Sequence, residues 1–427
     1  MNPAGYHLTS LAIHCANAVL VYLMALRVLQ LALRREASAE LPLRVGAAIA
    51  ALLFAVHPLR VEPVAWISAR NDLVSGLFSL LMIIAYLKYA ALPATRPNRL
   101  TWYITTVVFY ALSLLAKGSG LTLPIVLLVL DVYPLRRLRL VGLGSIERGI
   151  WRVWAEKIPF LFLAVVCGVI AILAKKQSNL LFSDLYGALG RAVQSIYALA
   201  FYLWKTLFPV GLSPLYELPI LYNPTYWPFL VSAVVVLALS IALFVLRRRW
   251  PAVLTSGVIY IIILAPVSGI VRFAPSIVAD RYSYLSCMGW MMIAAGGLCS
   301  LCQYWLNGKI RSSIFAFLQS VVIVVLLGLG VLTWQQIHVW HDSERLWRHA
   351  LAVNQESGFA HYYLAVALAR RDASHEAILH FERAVKQIDP SYAAYPDVHY
   401  ELARPISEDG STNRGHRALP SSPEVQT

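Results

Sequence analysis

Long apolar runs, separated by short breaks rich in proline and arginine, fill the first 334 residues of this 427-residue chain. A helix that crosses a bilayer needs about 20 apolar residues at 1.5 Å rise each, and by that measure the pattern predicts about ten spanning helices. They fall at 8–29, 43–57, 72–91, 101–116, 119–133, 158–174, 228–246, 252–271, 283–303 and 313–334. Two of them, 43–57 and 119–133, are short enough to need shelter from neighbours, local thinning of the bilayer, or a half-helix. Another apolar run, 192–209, follows Arg191 and is broken by Lys205, so it is expected to lie in the interface or re-enter rather than span.

Composition agrees with that pattern. Hydrophobic residues make up 59% of the chain and charged residues 14%, with a mean hydropathy of +0.64. Those values exclude an ordinary soluble protein and point to a polytopic membrane protein. A net charge of +14 raises nucleic-acid binding, but the Lys and Arg residues cluster at the ends of apolar runs, as topology signals do. With no basic stripe or recognised binding motif, no nucleic-acid partner is expected. The five cysteines, Cys15, Cys167, Cys287, Cys299 and Cys302, lie in or beside apolar runs and give no disulfide framework. Cys299 and Cys302 have CxxC spacing without a second pair or a nearby histidine, and read as small packing residues.

Lysine and arginine positions set the orientation. With 192–209 not spanning, eighteen fall on one face: Arg27, Arg34, Arg35, Arg44, Lys88, Arg96, Arg99, Arg136, Arg137, Arg139, Arg148, Arg152, Lys157, Arg247, Arg248, Arg249, Lys309 and Arg311. Nine fall on the other: Arg60, Arg70, Lys117, Lys175, Lys176, Arg191, Lys205, Arg272 and Arg281. The excess assigns the first face to the cytoplasm. The chain opens MNPAGYHLTS, without the basic region or cleavage site of a secretory signal.

From Gln335 the composition turns polar and a 34-residue period appears, with Ser343, Trp347 and Ala350 recurring as Ala377, Phe381 and Ala384. This resembles a tetratricopeptide repeat, in which a small residue lets two helices approach and an aromatic fills the gap to the next pair. Leu364, Ala365, Leu368, Ala377, Phe381, Ala384 and Pro390 match one whole repeat, with half a repeat before it and a partial one at His399–Ala403. The bland alternative is an unrelated amphipathic helical pair. Residues 404–427 are polar and rich in Pro, Ser and Gly, and are expected to be disordered. The fold class is therefore all-α: a polytopic membrane domain over 1–334, a repeat region over 335–403, and a tail over 404–427.

Candidate chemistry sits in the breaks on the outer face. The stretch HPLRVEPVAWISARND, 57–72, carries His57, Arg60, Glu62, Arg70 and Asp72. Each charge would cost roughly 2.5–3.5 kcal/mol in lipid, so the stretch must line a membrane surface or polar cavity. AKGSGLTLP places Lys117 at the end of a run, and ADRYSYLS places Asp280 and Arg281 at the start of another; an aromatic loop spans 211–228. Arg70, Lys117 and Arg281 are three cations on one face, a cradle for a phosphate at headgroup depth. Read more plainly, each is a snorkelling anchor, and Trp66, Trp227, Tyr282 and Tyr284 are interface aromatics. His14 and His57 are candidate ligands, or hydrogen-bond a neighbouring helix. Asp131 ends a run and caps it or pairs with the arginines after it. No cluster of ligands demands a metal.

Taken in order, HPLRVEPVAWISARNDLVS, LLAKGSGLTLP, DVYPLRR, EKIPF, ADRYSYLS and WHDSERLWRHAL resemble the transmembrane and tetratricopeptide-repeat-containing O-mannosyltransferases, in particular their bacterial relatives. The resemblance runs to about Ala403. It implies a GT-C fold and transfer of a sugar, mannose in eukaryotic members, from a polyprenyl-phosphate carrier to Ser or Thr hydroxyls outside the membrane, with the repeats presenting the acceptor protein. The implied partners are the lipid-linked sugar, the acceptor and membrane lipids. No nucleotide cofactor is implied, because the donor is lipid-linked. The implied location is a bacterial inner membrane, or the endoplasmic reticulum in a eukaryote. By motif position, Arg281 and Lys117, with Arg70, are carried over as donor-phosphate partners, and His57 and Asp280 as lining of the active-site face.

The family's acidic catalytic motif belongs to a first external loop, whereas NPAGYHLTSLAIHCANAVL matches its second helix. The expectation is a chain that begins beyond that loop and is inactive alone, with Glu62 and Asp72 as weak stand-ins for the base. Lys117 is also followed by Gly118 where many eukaryotic members carry Glu. A non-catalytic membrane scaffold with an external repeat is the competing reading. A flippase for lipid-linked sugars ranks last, because no paired broken segments with inverted symmetry are evident.

Overall fold

The structure, a computed structural model, describes residues 3–33, 40–138, 148–177, 187–217, 225–270, 276–371 and 373–388. Arg34, Arg35, Arg139, Arg272, Pro390, the partial repeat at 399–403 and the tail 404–427 lie outside the described residues, as do the side chains of Arg148, Lys175 and Lys176. The described chain is helical apart from one two-stranded sheet. It divides into two compact units, Met1–Val353 and Asn354–Thr427.

The first unit is a multi-pass membrane domain. Apolar runs become α1 (Pro3–Leu33), α2 (Glu40–Ala55), α4 (Arg70–Ala91), α5 (Arg99–Ala116), α6 (Leu123–Val132) and α8 (Ile158–Gln177), with the short α3 (Val61–Ala65) and α7 (Arg148–Ala155) between them. They continue as α9 (Gly187–Leu207), α10 (Trp227–Leu246), α11 (Pro251–Leu264), the short α12 (Ser283–Ser286), α13 (Met288–Leu306) and α14 (Ser312–Val339), followed by the polar α15 (Ser343–Val353). Among the described residues six helices are long and apolar enough to cross a membrane, or up to eight if each of two bent pairs is one span. The run 119–133 is divided into a 3-10 turn, Gly118–Thr122, and the 10-residue α6; α11 has 14 residues. At 1.5 Å per residue neither α6 nor α11 covers a hydrocarbon core of about 30 Å. Residues 192–207 of the run 192–209 lie in α9, which is not among the six.

Among the described residues three clusters hold these helices together. The largest of these joins α1, α4, α5, α6 and α8 through Val21, Leu73, Leu80, Tyr86, Tyr110, Leu127 and Phe160. A second gathers Tyr202, Phe229, Tyr260 and Cys287 around α9. The third uses small residues, Ala25, Ala47, Ala50, Ala295 and Cys299, so that α1, α2 and α13 approach closely. A Cβ on Gly46 would stand 2.9 Å from the Ala295 carbonyl oxygen, which is why only glycine fits there. Cys299 and Cys302 are buried in α13 and are not joined in a disulfide.

In the second unit α16 (Gly358–Ala369) packs on α17 (Ser374–Gln387). Ser357 caps α16 by accepting the Ala360 N–H at 3.1 Å. Leu364, Ala365, Leu368, Ala377, Phe381 and Ala384 are all buried between the helices or beneath them.

Candidate functional site

Two broken helices build the site. Pro58 has no N–H to continue α2, so the chain turns through a 3-10 segment, Pro58–Arg60, and enters α3 at a bend of 59°. A second 3-10 turn, Asp280–Tyr282, leads into α12, and α12 meets α13 at 50°. Irregular backbone at such breaks is tolerated where it is buried in protein or lines a cavity, and there it carries polar side chains.

His57 stabilises the first break. Its Nδ1 accepts the Leu59 N–H at 3.3 Å, so Nε2 carries the proton and donates to the Thr206 carbonyl of α9 at 3.0 Å. His14 is held in the same way: Nε2 donates to the Ala55 carbonyl at 3.2 Å, and Nδ1 accepts from the Tyr284 hydroxyl at 3.0 Å. That hydroxyl in turn accepts from Asn17 Nδ2 at 2.8 Å. Both histidines therefore tie helices together.

Charged side chains from distant parts of the chain meet beside these breaks. Glu62 accepts from the Arg281 guanidinium through Oε1 and from the Arg281 backbone N–H through Oε2 at 2.8 Å. The Arg281 guanidinium lies 5.0 Å from the Trp66 ring and 5.0 Å from the Tyr282 ring. Lys117 lies 5.7 Å from the same Tyr282 ring and donates to Asp72 Oδ1 at 2.5 Å. The other Asp72 oxygen, Oδ2, is buried without a hydrogen-bond partner. Asp280 accepts from the Tyr216 hydroxyl at 3.0 Å. Tyr216 is brought there by the antiparallel pairing of β1 (Tyr216–Glu217) with β2 (Ser276–Val278). Burial first, and the neighbouring Asp280 next, hold the Tyr216 phenol well above its ordinary range, so it stays a donor.

The structure thus gathers Glu62, Asp72, Lys117, Asp280 and Arg281. Arg70 turns away from them: it donates to the Tyr6 carbonyl at 3.2 Å and to Ser10 at 3.4 Å, and packs on the Tyr6 ring. Arg60, met in the sequence only as one charge of the run, proves to be a deeply buried cation. It is 2% exposed, stands over the Phe54 and Tyr284 rings at 5.0 and 5.4 Å, and donates to Ser283 at 3.0 Å, while its Nε and Nη2 have no partner. Asn17, a lone amide inside an apolar helix, was a legible signal of a buried polar contact; Tyr216 and Ser283 lay in stretches singled out for candidate chemistry without being singled out themselves. Trp340, from the WHDSERLW box, borders the site through Trp66 at 6.2 Å. Among the described residues no three His, Cys, Asp or Glu side chains come together as a metal cage.

The DVYPLRR and EKIPF boxes build a separate polar cluster at the other end of α4. Asp131 and Lys157, both fully buried, pair at 2.7 Å, and the Tyr86 hydroxyl donates to Asp131 at 2.6 Å. Arg137 reaches Asp131 at 3.0 Å and Glu156 at 2.5 Å. Asp72 and Tyr86 are separated by about 21 Å along the helix at 1.5 Å per residue. This cluster fastens α4 to α6 and α8.

Comparison with known proteins bears on these boxes. The chain is 26% identical over 437 residues to "Protein O-mannosyl-transferase TMTC1" of Homo sapiens, covering 90% of the chain and 46% of that protein. It is 23% identical over 438 residues to "Protein O-mannosyl-transferase Tmtc3" of Drosophila melanogaster, with the same shares. Locally it is 35% identical over 98 residues to "Protein O-mannosyl-transferase tmtc2" of Xenopus laevis, 23% of the chain and 12% of that protein. Along most of its length the chain is similar to proteins named as TMTC O-mannosyltransferases. It spans about half the length of the curated relatives it matches along most of its length. No family model matches the chain, and no solved structure does.

Proposed function

We propose that the chain acts as a membrane glycosyltransferase of the TMTC kind, moving a sugar such as mannose from a polyprenyl-phosphate carrier to Ser or Thr hydroxyls of a protein. In this reading the site faces the outside of a bacterial inner membrane, or the lumen of the endoplasmic reticulum in a eukaryote. The pair α16 and α17 serves as a tetratricopeptide-type unit that presents the acceptor. The observation that carries the reading is the meeting of Arg281 and Lys117 over one aromatic ring, Tyr282, each backed by a carboxylate.

Charge on the leaving phosphate rises as the anomeric bond breaks, and preorganised cations aimed at it stabilise that state. Glu62, with both oxygens committed to Arg281, positions that arginine. Asp72 keeps one unused oxygen and is the better placed of the two carboxylates to take a hydroxyl proton. Arg70, bonded to α1, is left out of the cradle.

The test is binding of a polyprenyl phosphate to the chain in nanodiscs. Arg281→Gln and Lys117→Gln should each weaken it about ten- to hundredfold, the equivalent of one lost hydrogen bond to a charged group. One observation favours a scaffold instead, namely that both cations are already neutralised by their carboxylates. Affinity unchanged in both variants would overturn the phosphate assignment in favour of that reading.

A further inference from the structure

An almost wholly apolar cavity of about 540 Å³ lies among α1, α6, α11 and α13, within the roughly 300–1,000 Å³ usual for ligand sites. Met24, Leu29, Val126, Ile259 and Met292 form much of its wall. At one end the lining changes to Tyr133, Arg249 and Trp250. Arg249 is exposed, and no described carboxylate pairs with it. Arg136, also exposed, stands 5.9 Å over the Tyr133 ring. Both arginines belong to the face that carries the excess of positive charge.

A void of this size is costly to leave empty, because atoms along its wall lose their dispersion partners. Water does not fill it well, since each buried water needs two to four polar partners and the wall offers few. The bilayer around the domain supplies hydrocarbon. Two exposed cations, Arg249 in the lining and Arg136 over the ring of the lining residue Tyr133, then select the sign of the group attached to that hydrocarbon, as basic pockets between helices do at the cytoplasmic face. We propose that this groove seats one acyl chain of an anionic glycerophospholipid, with its headgroup phosphate between Arg136 and Arg249. The site is separate from the Arg281 and Lys117 cradle.

Gly297 supplies a clean way to test the proposal. It lines the cavity, and a Cβ built on it meets nothing within 4 Å, so Gly297→Phe has open space to enter. The full chain is reconstituted in nanodiscs of equal phosphatidylglycerol and phosphatidylcholine, extracted, and weighed by native mass spectrometry. The wild type should retain phosphatidylglycerol over phosphatidylcholine by about tenfold or more, and Arg136→Gln and Arg249→Gln should each cut that preference about fivefold. Gly297→Phe should lose the retained lipid whatever its headgroup, with thermal unfolding and polyprenyl-phosphate binding unchanged. Equal retention of the two lipids, a preference that survives the double arginine variant, or recovery of an isoprenoid lipid in their place would overturn it.

Discussion

Removing Glu62 probes the site most directly, because this one side chain satisfies two groups of Arg281. Glu62→Ala strands a guanidinium and a backbone N–H in a buried setting. Breaking a buried pair from one side costs about 3–5 kcal/mol, of which an unsatisfied buried N–H accounts for about 1–3. The Arg281 side chain is 17% exposed, which moves the expectation to the lower part of that range. Glu62→Gln keeps an acceptor for the backbone N–H but loses the charge and turns an NH2 donor toward the guanidinium, so its cost should be smaller than that of Glu62→Ala, about 1.5–3 kcal/mol. Replacing both partners with apolar groups, Glu62→Leu with Arg281→Met, removes the stranded charge and should restore much of the loss. The assay is a double-mutant cycle on thermal or denaturant unfolding in detergent, read by tryptophan fluorescence. The signature is a coupling energy of at least about 1 kcal/mol, with Glu62→Ala worse than Glu62→Gln. Single variants within about 0.5 kcal/mol of wild type, the range of ordinary surface substitutions, would refute the claim that this pair holds the two helix breaks together.

Gly76 in α4 faces the Tyr284 ring, and a Cβ there would lie 2.8 Å from Cε1. Helix propensity alone says that Gly76→Ala stabilises by about 0.5–1 kcal/mol; overpacking against the ring should reverse the sign and cost about 1–3 kcal/mol, as a fall in melting temperature. Lys157→Met leaves Asp131 without its shortest ion pair and should cost about 3–5 kcal/mol. Polyprenyl-phosphate binding at the far end of α4 should persist at temperatures where that variant is folded, and parallel loss of binding would argue against two separate clusters. In the second unit His361 Nδ1 and His380 Nδ1 share a 2.7 Å hydrogen bond, and burial, then His380, hold His361 below its ordinary value of 6.5. The unfolded chain then binds more protons, so stability is complete above about pH 6.5 and falls as pH drops below it. Amide protection in α16 and α17 of the full chain, expressed as protection factors so that the slower intrinsic exchange in acid cancels, should fall between pH 7 and pH 5, and His380→Asn should flatten that dependence.

The helices were legible because apolar run length translates almost directly into helix length, and the 34-residue spacing marked the side chains that α16 and α17 bury. The number of crossings was less legible. Hydropathy does not separate a span from the 3-10 turn and 10-residue helix that share 119–133, and a single proline at 58 turns what reads as one polar strip into a bend between two helices. Pairing was not legible at all. Nothing in the order of charges says that Glu62 belongs to Arg281 and Asp72 to Lys117, or that Arg70, two residues from Asp72, belongs to α1. The boxes that carry the resemblance sort by geometry in a way their order hides. HPLRVEPVAWISARND, AKG and ADRYS converge at one end of α4, and DVYPLRR and EKIPF at the other. The first group keeps unused polar atoms, Asp72 Oδ2 with Nε and Nη2 of Arg60. In the second, both oxygens of Asp131 and of Glu156 accept hydrogen bonds or ion pairs, and the buried atom left without a partner is a donor, Nε of Arg99. A polar network that satisfies its own groups fixes helix positions, whereas one that buries unpaired atoms is where a ligand can still gain binding energy. An unused carboxylate oxygen at the first cluster, where the carboxylates of the second have none, is the physical reason for placing chemistry at the first cluster and support at the second.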